Sequence, residues 1–282
     1  VWGAGGGPTN GTLYIPSLIK ELNMIHMLKQ AQKKFIKSSD TAIKSSPIST
    51  QSAGSIDLQD NSIDYIFIDP PFGSNLNYSE LNLIWESWLR VRTNNIAEAI
   101  ENKTQNKGLL QYQNLIGTGF KESFRLLKPG KWLTIEFSNT SAAIWNSIQI
   151  ALVNSGFVVG NVSALDKKKG SFNAQSNPTS VKQDLVISCY KPSSDFDEKF
   201  KQHQHTSVAV WDFVEEHLLH LPIHLISGDS TIAIIERSPK ILFDRLIAFY
   251  VQKGLPVPID AGAFQKGLRE RFIERDGMFF TN

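Results

Sequence analysis

The sequence predicts an α/β protein, with a doubly wound sheet from about residue 63 to residue 191 and a helical module after it. Three observations carry that expectation. Between Ile63 and Lys191, short apolar runs of strand length alternate with segments whose apolar residues recur every three and four positions. The last two strand-like runs follow one another with no helix between them, which predicts an antiparallel pair at one edge. Beyond Pro192 the pattern becomes helical and histidine-containing.

Taken in order, "VWGAGGGPTNGTLYIP" is rich in glycine and turn formers and carries no periodicity, so residues 1–16 are expected to be a linker. From Ser17, a plausible N-cap with Glu21 nearby, Leu18, Ile19, Leu22, Ile25, Leu28 and Phe35 fall at helical spacing. The Ser- and Thr-rich stretch 38–55 is a loop holding at most one short strand around "PISTQSAGSID". "DYIFID" has the look of a buried parallel strand, and "YSELNLIWESWLRV" predicts a helix directly after the polar segment that ends it. "YQNLIGTGFKESFRLL" is a second amphipathic helix, closed by a turn at "KPGKW". "KWLTIEFSN" is a strand, "AAIWNSIQIALVNSG" a helix ended by Gly156, "FVVGNVSAL" a strand, and "QDLVISCYK" a strand after a basic loop. The stretch 193–227 is helical, two more helices lie in "SPKILFDRLIAFYVQKG" and "DAGAFQKGLRERF", and "DGMFF" resembles the end of a hairpin. The expected division is a linker at 1–16, a catalytic region at 17–192 and a C-terminal module at 193–282.

Composition sets wide limits. The 282 residues hold 29 basic and 27 acidic side chains and are 41% hydrophobic, so total charge points to no partner class. A single cysteine, Cys189, excludes an internal disulfide and a Cys-rich zinc site and fits a reducing, cytoplasmic compartment. No apolar stretch reaches the roughly 18 residues of a membrane span, and no signal-peptide pattern opens the chain. It begins on Val1 rather than methionine and reads as a piece of something longer.

The chemistry centres on "IFIDPPFGSN". Ligands of open α/β sheets bind beyond the carboxyl ends of the strands, where Asp69, Pro70, Pro71 and Phe72 are expected. The lone pair of an exocyclic amine on a nucleobase is delocalised into the ring, and two acceptors on its N–H groups are needed to make it a nucleophile. The Asp69 carboxylate and the Pro70 carbonyl can supply them, two consecutive prolines keep the turn stiff, and Phe72 offers a face for a base displaced from its stack. Gly73 lets a backbone approach closely.

"DPPF" after an apolar strand resembles the catalytic motif of the amino-methylating DNA methyltransferases, which act on adenine N6 or cytosine N4 with S-adenosylmethionine; the Asp-first form is typical of the adenine-specific enzymes. The wider stretch "DPPFGSNLNYSELNLIWESWL" is similar to a family of large bacterial adenine-specific DNA methylases. "GTLYIPSL", "NPTSVKQDLVISCYKP" and "RSPKILFDRLIAFYVQKGLPVP…RERFIERDGMFF" resemble further segments of those proteins, so the likeness spans most of the chain. It implies a Rossmann-like class I methyltransferase sheet, S-adenosylmethionine as cofactor, DNA as substrate, and further subunits of a restriction or defence system as partners. It implies catalytic roles for Asp69, Pro70, Pro71 and Phe72.

One departure from the family pattern bears on the cofactor. The glycines of the family's cofactor turn follow a strand and open a helix, whereas Gly5, Gly6 and Gly7 follow no apolar run and are separated from any helix by Pro8 and Asn10. The sheet is therefore expected to be incomplete in its N-terminal half, with the chain alone unable to hold the cofactor. Ser55 and Asp57 are either a remnant of the cofactor's adenine contact or a plain surface turn. Asn75, Asn77 and Tyr78 either touch substrate or cap the helix that follows. In the basic stretch, Lys167, Lys168, Lys169 and the later Lys182 suit phosphate contact or a solvated loop equally. His203, His205, His217, His220 and His224 lack a Cys or acidic ligand set, and helical spacing favours an amphipathic or interface helix over zinc. The tail, with Arg269 and Arg271, suits a winged-helix DNA reader or a subunit-packing module. The expected function is methyl transfer to adenine N6 in DNA. The alternatives are a non-catalytic DNA-binding or assembly module and a methyltransferase acting on RNA or protein glutamine.

Overall fold

The computed structural model describes residues 24–39, 49, 51–73, 76–139, 141–165, 184–227, 230–232 and 234–282. The chain divides into two compact units, 1–50 and 51–282. In the first, helix α1 (Met24–Ser39) lies within the predicted helix and leaves Ile25, Leu28 and Ile36 exposed. Its predicted start at Ser17 and the glycine-rich stretch lie outside the described residues.

The second unit opens with β1 (Ile63–Ile68), α2 (Tyr78–Leu89), α3 (Leu109–Leu126), β2 (Leu127–Phe137), α4 (Ala142–Ser155), β3 (Val158–Leu165) and β4 (Asp184–Tyr190). It continues with α5 (Ser194–His203), α6 (Val208–His220), α7 (Pro239–Gln252) and α8 (Ala261–Arg271). Two small hairpins join these helices, β5 (Leu225–Ser227) with β6 (Ser230–Ile232), and β7 (Ile273–Arg275) with β8 (Met278–Phe280). The four long strands form a mixed sheet in the order β1-β2-β4-β3, with β1 and β2 parallel and β4 antiparallel to both its neighbours. The antiparallel edge pair expected from the sequence is β3 with β4. The result is a mixed α/β fold.

Strand periodicity decides which face each residue meets. Leu133, Ile135 and Phe137 of β2, opposite Cys189, Ile187 and Leu185 of β4, point to one side, where they join Tyr112, Ile116 and Phe120 of α3 and Ile144, Ile148 and Leu152 of α4. Trp132 and Tyr190, paired in the same register, point to the other side and meet the cluster built by α5 to α8. Burial in the first cluster raises the Cys189 thiol pKa well above its ordinary value, so the thiol stays protonated. The boundary expected near residues 193–200 falls within the second unit.

Two local expectations are corrected. "KPGKW" is not a turn between helix and strand but an irregularity inside β2, where the pairing jumps from Ile63 with Leu127 to Tyr65 with Trp132. Gly130, at φ +73°, absorbs the extra residues, and its N–H is held by the Lys191 carbonyl at 2.8 Å. The stretch after α6 is not helical to Ser227: Leu221 and Pro222 end the helix, and Leu225–Ser227 forms β5. At the tail, Asp276 and Gly277 both take positive φ, the requirement of a two-residue hairpin turn.

The loop before β1 is clamped to the end of α3. Arg125 reaches the Ile56 and Leu58 carbonyls at 2.9 Å and pairs with Asp60 and Glu122, while Glu122 accepts the Ile56 N–H at 2.7 Å. The hydrogen bond from Arg125 chiefly, with that from Ile56, lowers the Glu122 pKa from 4.5 to about 2. Because the folded value lies below the unfolded one, this stabilisation is complete above pH 4.5 and is lost as pH falls towards 2. Glu122→Gln is expected to lose about 1–2 kcal/mol at neutral pH. In urea titrations across pH, the gap to wild type should close with acidification; a gap independent of pH would refute the assignment.

Candidate active site

Asp69 stands one residue past the end of β1, at the carboxyl edge of the parallel pair β1 and β2, and is exposed. Pro70 is buried, and Pro71 and Phe72 are half-buried. Fixed proline φ angles turn the chain inward here, and its carbonyls are held from below. The Tyr112 hydroxyl, on the first turn of α3, donates to the Pro71 carbonyl at 2.7 Å. Burial first, with the Glu101 charge adding, raises the Tyr112 phenol above its ordinary pKa and keeps the donor protonated. The Asn139 amide, just beyond β2, donates to the Phe72 carbonyl at 2.9 Å. Asn139 is itself fixed, since its backbone carbonyl accepts Trp145 Nε1 at 2.9 Å and its Oδ1 accepts the Ser141 N–H at 2.7 Å.

The ring of Phe72 stands edge-on to Phe137 at 5.2 Å, and Phe137 meets Trp145 in the same manner at 4.9 Å. One side of Phe72 is thereby committed to the core. Gly73 takes φ +71°, a conformation that favours glycine, and a Cβ there would crowd Ile144 Cδ1 at 3.0 Å and Glu101 Oε2 at 3.4 Å. Its carbonyl accepts the Glu101 N–H at 3.2 Å. Of the three carbonyls from Pro70 to Phe72, those of Pro71 and Phe72 are occupied, and no described residue donates to that of Pro70.

The other expected site residues distribute unevenly. Asn77 occupies the N-cap of α2 without a capping hydrogen bond from its side chain. Its Nδ2 donates to Glu80 at 3.3 Å, and its Oδ1 is shielded from solvent with no partner among the described residues. Tyr78 is exposed at the first position of α2. Glu98 binds the N–H and hydroxyl of Ser79 at 2.9 and 2.6 Å, which ties α2 to the connector before α3. Ser55 and Asp57 are not brought to the motif: they sit in the loop clamped to the end of α3, at the opposite end of β1 from Asp69. Six residues of strand separate the two ends, about 20 Å at roughly 3.3 Å per residue. Asn75, Lys167, Lys168, Lys169 and Lys182 lie outside the described residues.

Sequence reading missed Tyr112, Asn139 and Glu101. Asn139 had a usable signal, because it follows a parallel strand at the same edge as Asp69. Tyr112 and Glu101 had none. In the C-terminal module, Arg269 pairs with Glu274 at 3.2 Å, and Arg271 pairs with Glu270 and lies over Trp211 at 4.5 Å. His217, fully buried, bonds the Tyr190 hydroxyl through Nδ1 at 2.9 Å, and His220 stacks on Tyr190 at 3.9 Å.

β1 ends the described sheet, and apolar side chains on one face of it and on α2 are exposed. Tyr65 and Phe67 are exposed, and α2 buries none of its residues, leaving Ile84, Trp85, Trp88 and Leu89 at 68–84% exposure. No described helix is long and apolar enough to cross a membrane.

No family model and no curated protein matches the sequence. Solved structures with a similar arrangement include a Thermus thermophilus protein described as a DNA modification methylase, 16% identical, with a TM-score of 0.28 over 53% of this chain and 57% of that one. A SAM-dependent methyltransferase from Methanosarcina mazei matches at 13% identity and a TM-score of 0.31 over 60% of this chain and 87% of its own. The [4+2]-cyclase SpnF matches at 12% identity and a TM-score of 0.31 over 61% of this chain and 64% of its own. At these identities and TM-scores the likeness carries no argument about this chain.

Proposed function

We propose that this chain carries the amine-binding half of an S-adenosylmethionine-dependent methyltransferase that acts on the N6 amine of adenine in DNA. The observation that supports it best is the state of the motif's acceptors. With the Pro71 and Phe72 carbonyls engaged by Tyr112 and Asn139, the Pro70 carbonyl remains for a ligand beside the exposed Asp69 carboxylate. A buried residue's carbonyl without a donor favours a ligand that brings one. Two acceptors on one rigid turn are what a planar amine requires, and their rigidity avoids an ordering cost at the moment of reaction. Asp69 acts here as an acceptor that orients the amine rather than as a strong base, because the amine proton becomes acidic once the new bond has formed. The exposed side of Phe72 would meet the displaced base.

Ser55 and Asp57 lie at the end of β1 opposite the motif, and in this reading polypeptide that completes the sheet beside β1 and α2 would supply the methyl donor's seat. The C-terminal module, residues 193–282, would contact DNA or partner subunits. Radiolabelled methyl transfer by the full protein, with nucleoside analysis of the product, tests the proposal, and N6-methyladenine in DNA is the expected product. Label on cytosine N4, on RNA or on glutamine would reassign the substrate, and no transfer to any acceptor would leave a binding module. Calorimetry with this chain alone is expected to detect weak or no S-adenosylmethionine binding; micromolar affinity would overturn the division between amine site and cofactor seat.

A further inference from the structure

At the other edge of the sheet from Asp69, a cleft of about 250 Å³ opens between β3, α4 and α7. Its walls are aliphatic and aromatic, with Leu152, Phe157, Val159, Ile187 and Phe249 among them, and they belong to both hydrophobic clusters, so the cleft marks the seam between the sheet and the helical module. The seam is tied across by Gln252, whose side-chain amide donates to the Val153 carbonyl. Among the described residues one charged group lines the cleft, Arg245.

Arg245 lacks the partners a shielded guanidinium ordinarily has. Its Nε is closed off from solvent without an acceptor, and none of its nitrogens has a hydrogen bond or ion pair among the described residues. Glu236 and Asp244 act on it only through their field. By contrast Arg237, the fully buried arginine of this module, reaches four backbone carbonyls. A fork of five donors left open at the wall of an apolar cleft matches a carboxylate carried on an apolar body. A cavity of about 150 Å³ takes a benzene ring, so this one has room for a ring and a short acidic arm.

We infer that this cleft binds a small aryl or alkyl carboxylate, its apolar body between β3 and α7 and its carboxylate on Arg245. The site is independent of the methyl-transfer reading, since three strand spacings, roughly 14 Å, separate β3 from β1. A ligand there would bridge both clusters and stiffen the seam.

Titration of the full chain with 3-phenylpropanoate and with its neutral counterpart 3-phenylpropan-1-ol, followed by calorimetry and thermal shift, tests this. The acid is expected to bind at least about tenfold more tightly than the alcohol and to raise Tm more at equal concentration. Arg245→Met should remove that preference while leaving the alcohol's affinity unchanged, and Ala248→Trp, which fills the cleft from its exposed rim, should abolish binding of both. Equal affinity of acid and alcohol, an unchanged acid affinity in Arg245→Met, or no binding of either probe by wild type at millimolar concentration would each overturn the inference. Loss of methyl transfer in Asp69→Ala with probe binding intact separates the two sites.

Discussion

Asp69→Ala is expected to lower methyl transfer by about a thousandfold or more, the scale on which removal of a single preorganised electrostatic partner acts at a reacting centre. Asp69 is exposed and lies past the last paired residue of β1, so the variant should unfold within about 1 kcal/mol of wild type. Asp69→Asn keeps an acceptor oxygen at the same place but loses the charge, and an intermediate loss of about ten- to a hundredfold is expected. The measurement is the single-turnover rate on DNA by the full protein, alongside urea unfolding of each variant. A rate within a factor of two of wild type in Asp69→Ala would remove Asp69 from the reaction. A collapse of stability in parallel with activity would make it a structural residue instead.

Arg237→Met is expected to destabilise the second unit by about 3–5 kcal/mol, the scale of leaving several shielded carbonyls without donors at about 1–3 kcal/mol each, partly relieved by relaxation. Arg237 is 2% exposed and has no carboxylate against it among the described residues. Its guanidinium donates to the carbonyls of Pro222, Phe279, Leu218 and Leu221 at 2.6–3.0 Å and lies over the Phe280 ring at 4.7 Å. Leu218 is in the last turn of α6 and Leu221 caps it, so the cation also meets the negative end of that helix. Methionine fills much of the same space but leaves four carbonyls, three of them buried, without this donor. Arg237→Lys keeps the charge without the fork and should lose about half as much. A change below about 1 kcal/mol in Arg237→Met would show that water replaces the guanidinium at little cost.

These two residues illustrate what the sequence makes legible. Asp69 is visible because a short apolar run followed by two prolines is a local pattern, and the place where a parallel strand ends follows from fold class. Arg237 lies in "ERSPKILF", where it looks like any charged residue before a helix. Its role depends on Phe279, 42 positions later, and on Leu218, 19 positions earlier. The same contrast holds for the hairpin at the tail, marked by Asp276 and Gly277, against β5, where Leu225–Ser227 carries no strand signal that outweighs the helical run before it. "KPGKW" misleads for a related reason: proline and glycine signal a bend, and whether the bend ends a strand or bulges inside one depends on the partner strands.

The sequence by itself determined the alternation of strands and helices, the antiparallel pair at the edge and the position of the Asp69–Phe72 turn, because periodicity and proline stiffness act over a few residues. Tertiary structure alone decided which carbonyls of that turn are taken. Tyr112 and Asn139 reach it from 41 and 67 positions away, and a hydrogen bond to a backbone carbonyl asks for a donor at the right place rather than for any pattern in the chain. It also decided that Ser55 and Asp57 lie a strand's length from Asp69, that apolar side chains of β1 and α2 are exposed, and that Arg245 lines a cleft without a hydrogen-bond partner among the described residues. Each of these depends on what packs against a residue from elsewhere in the chain.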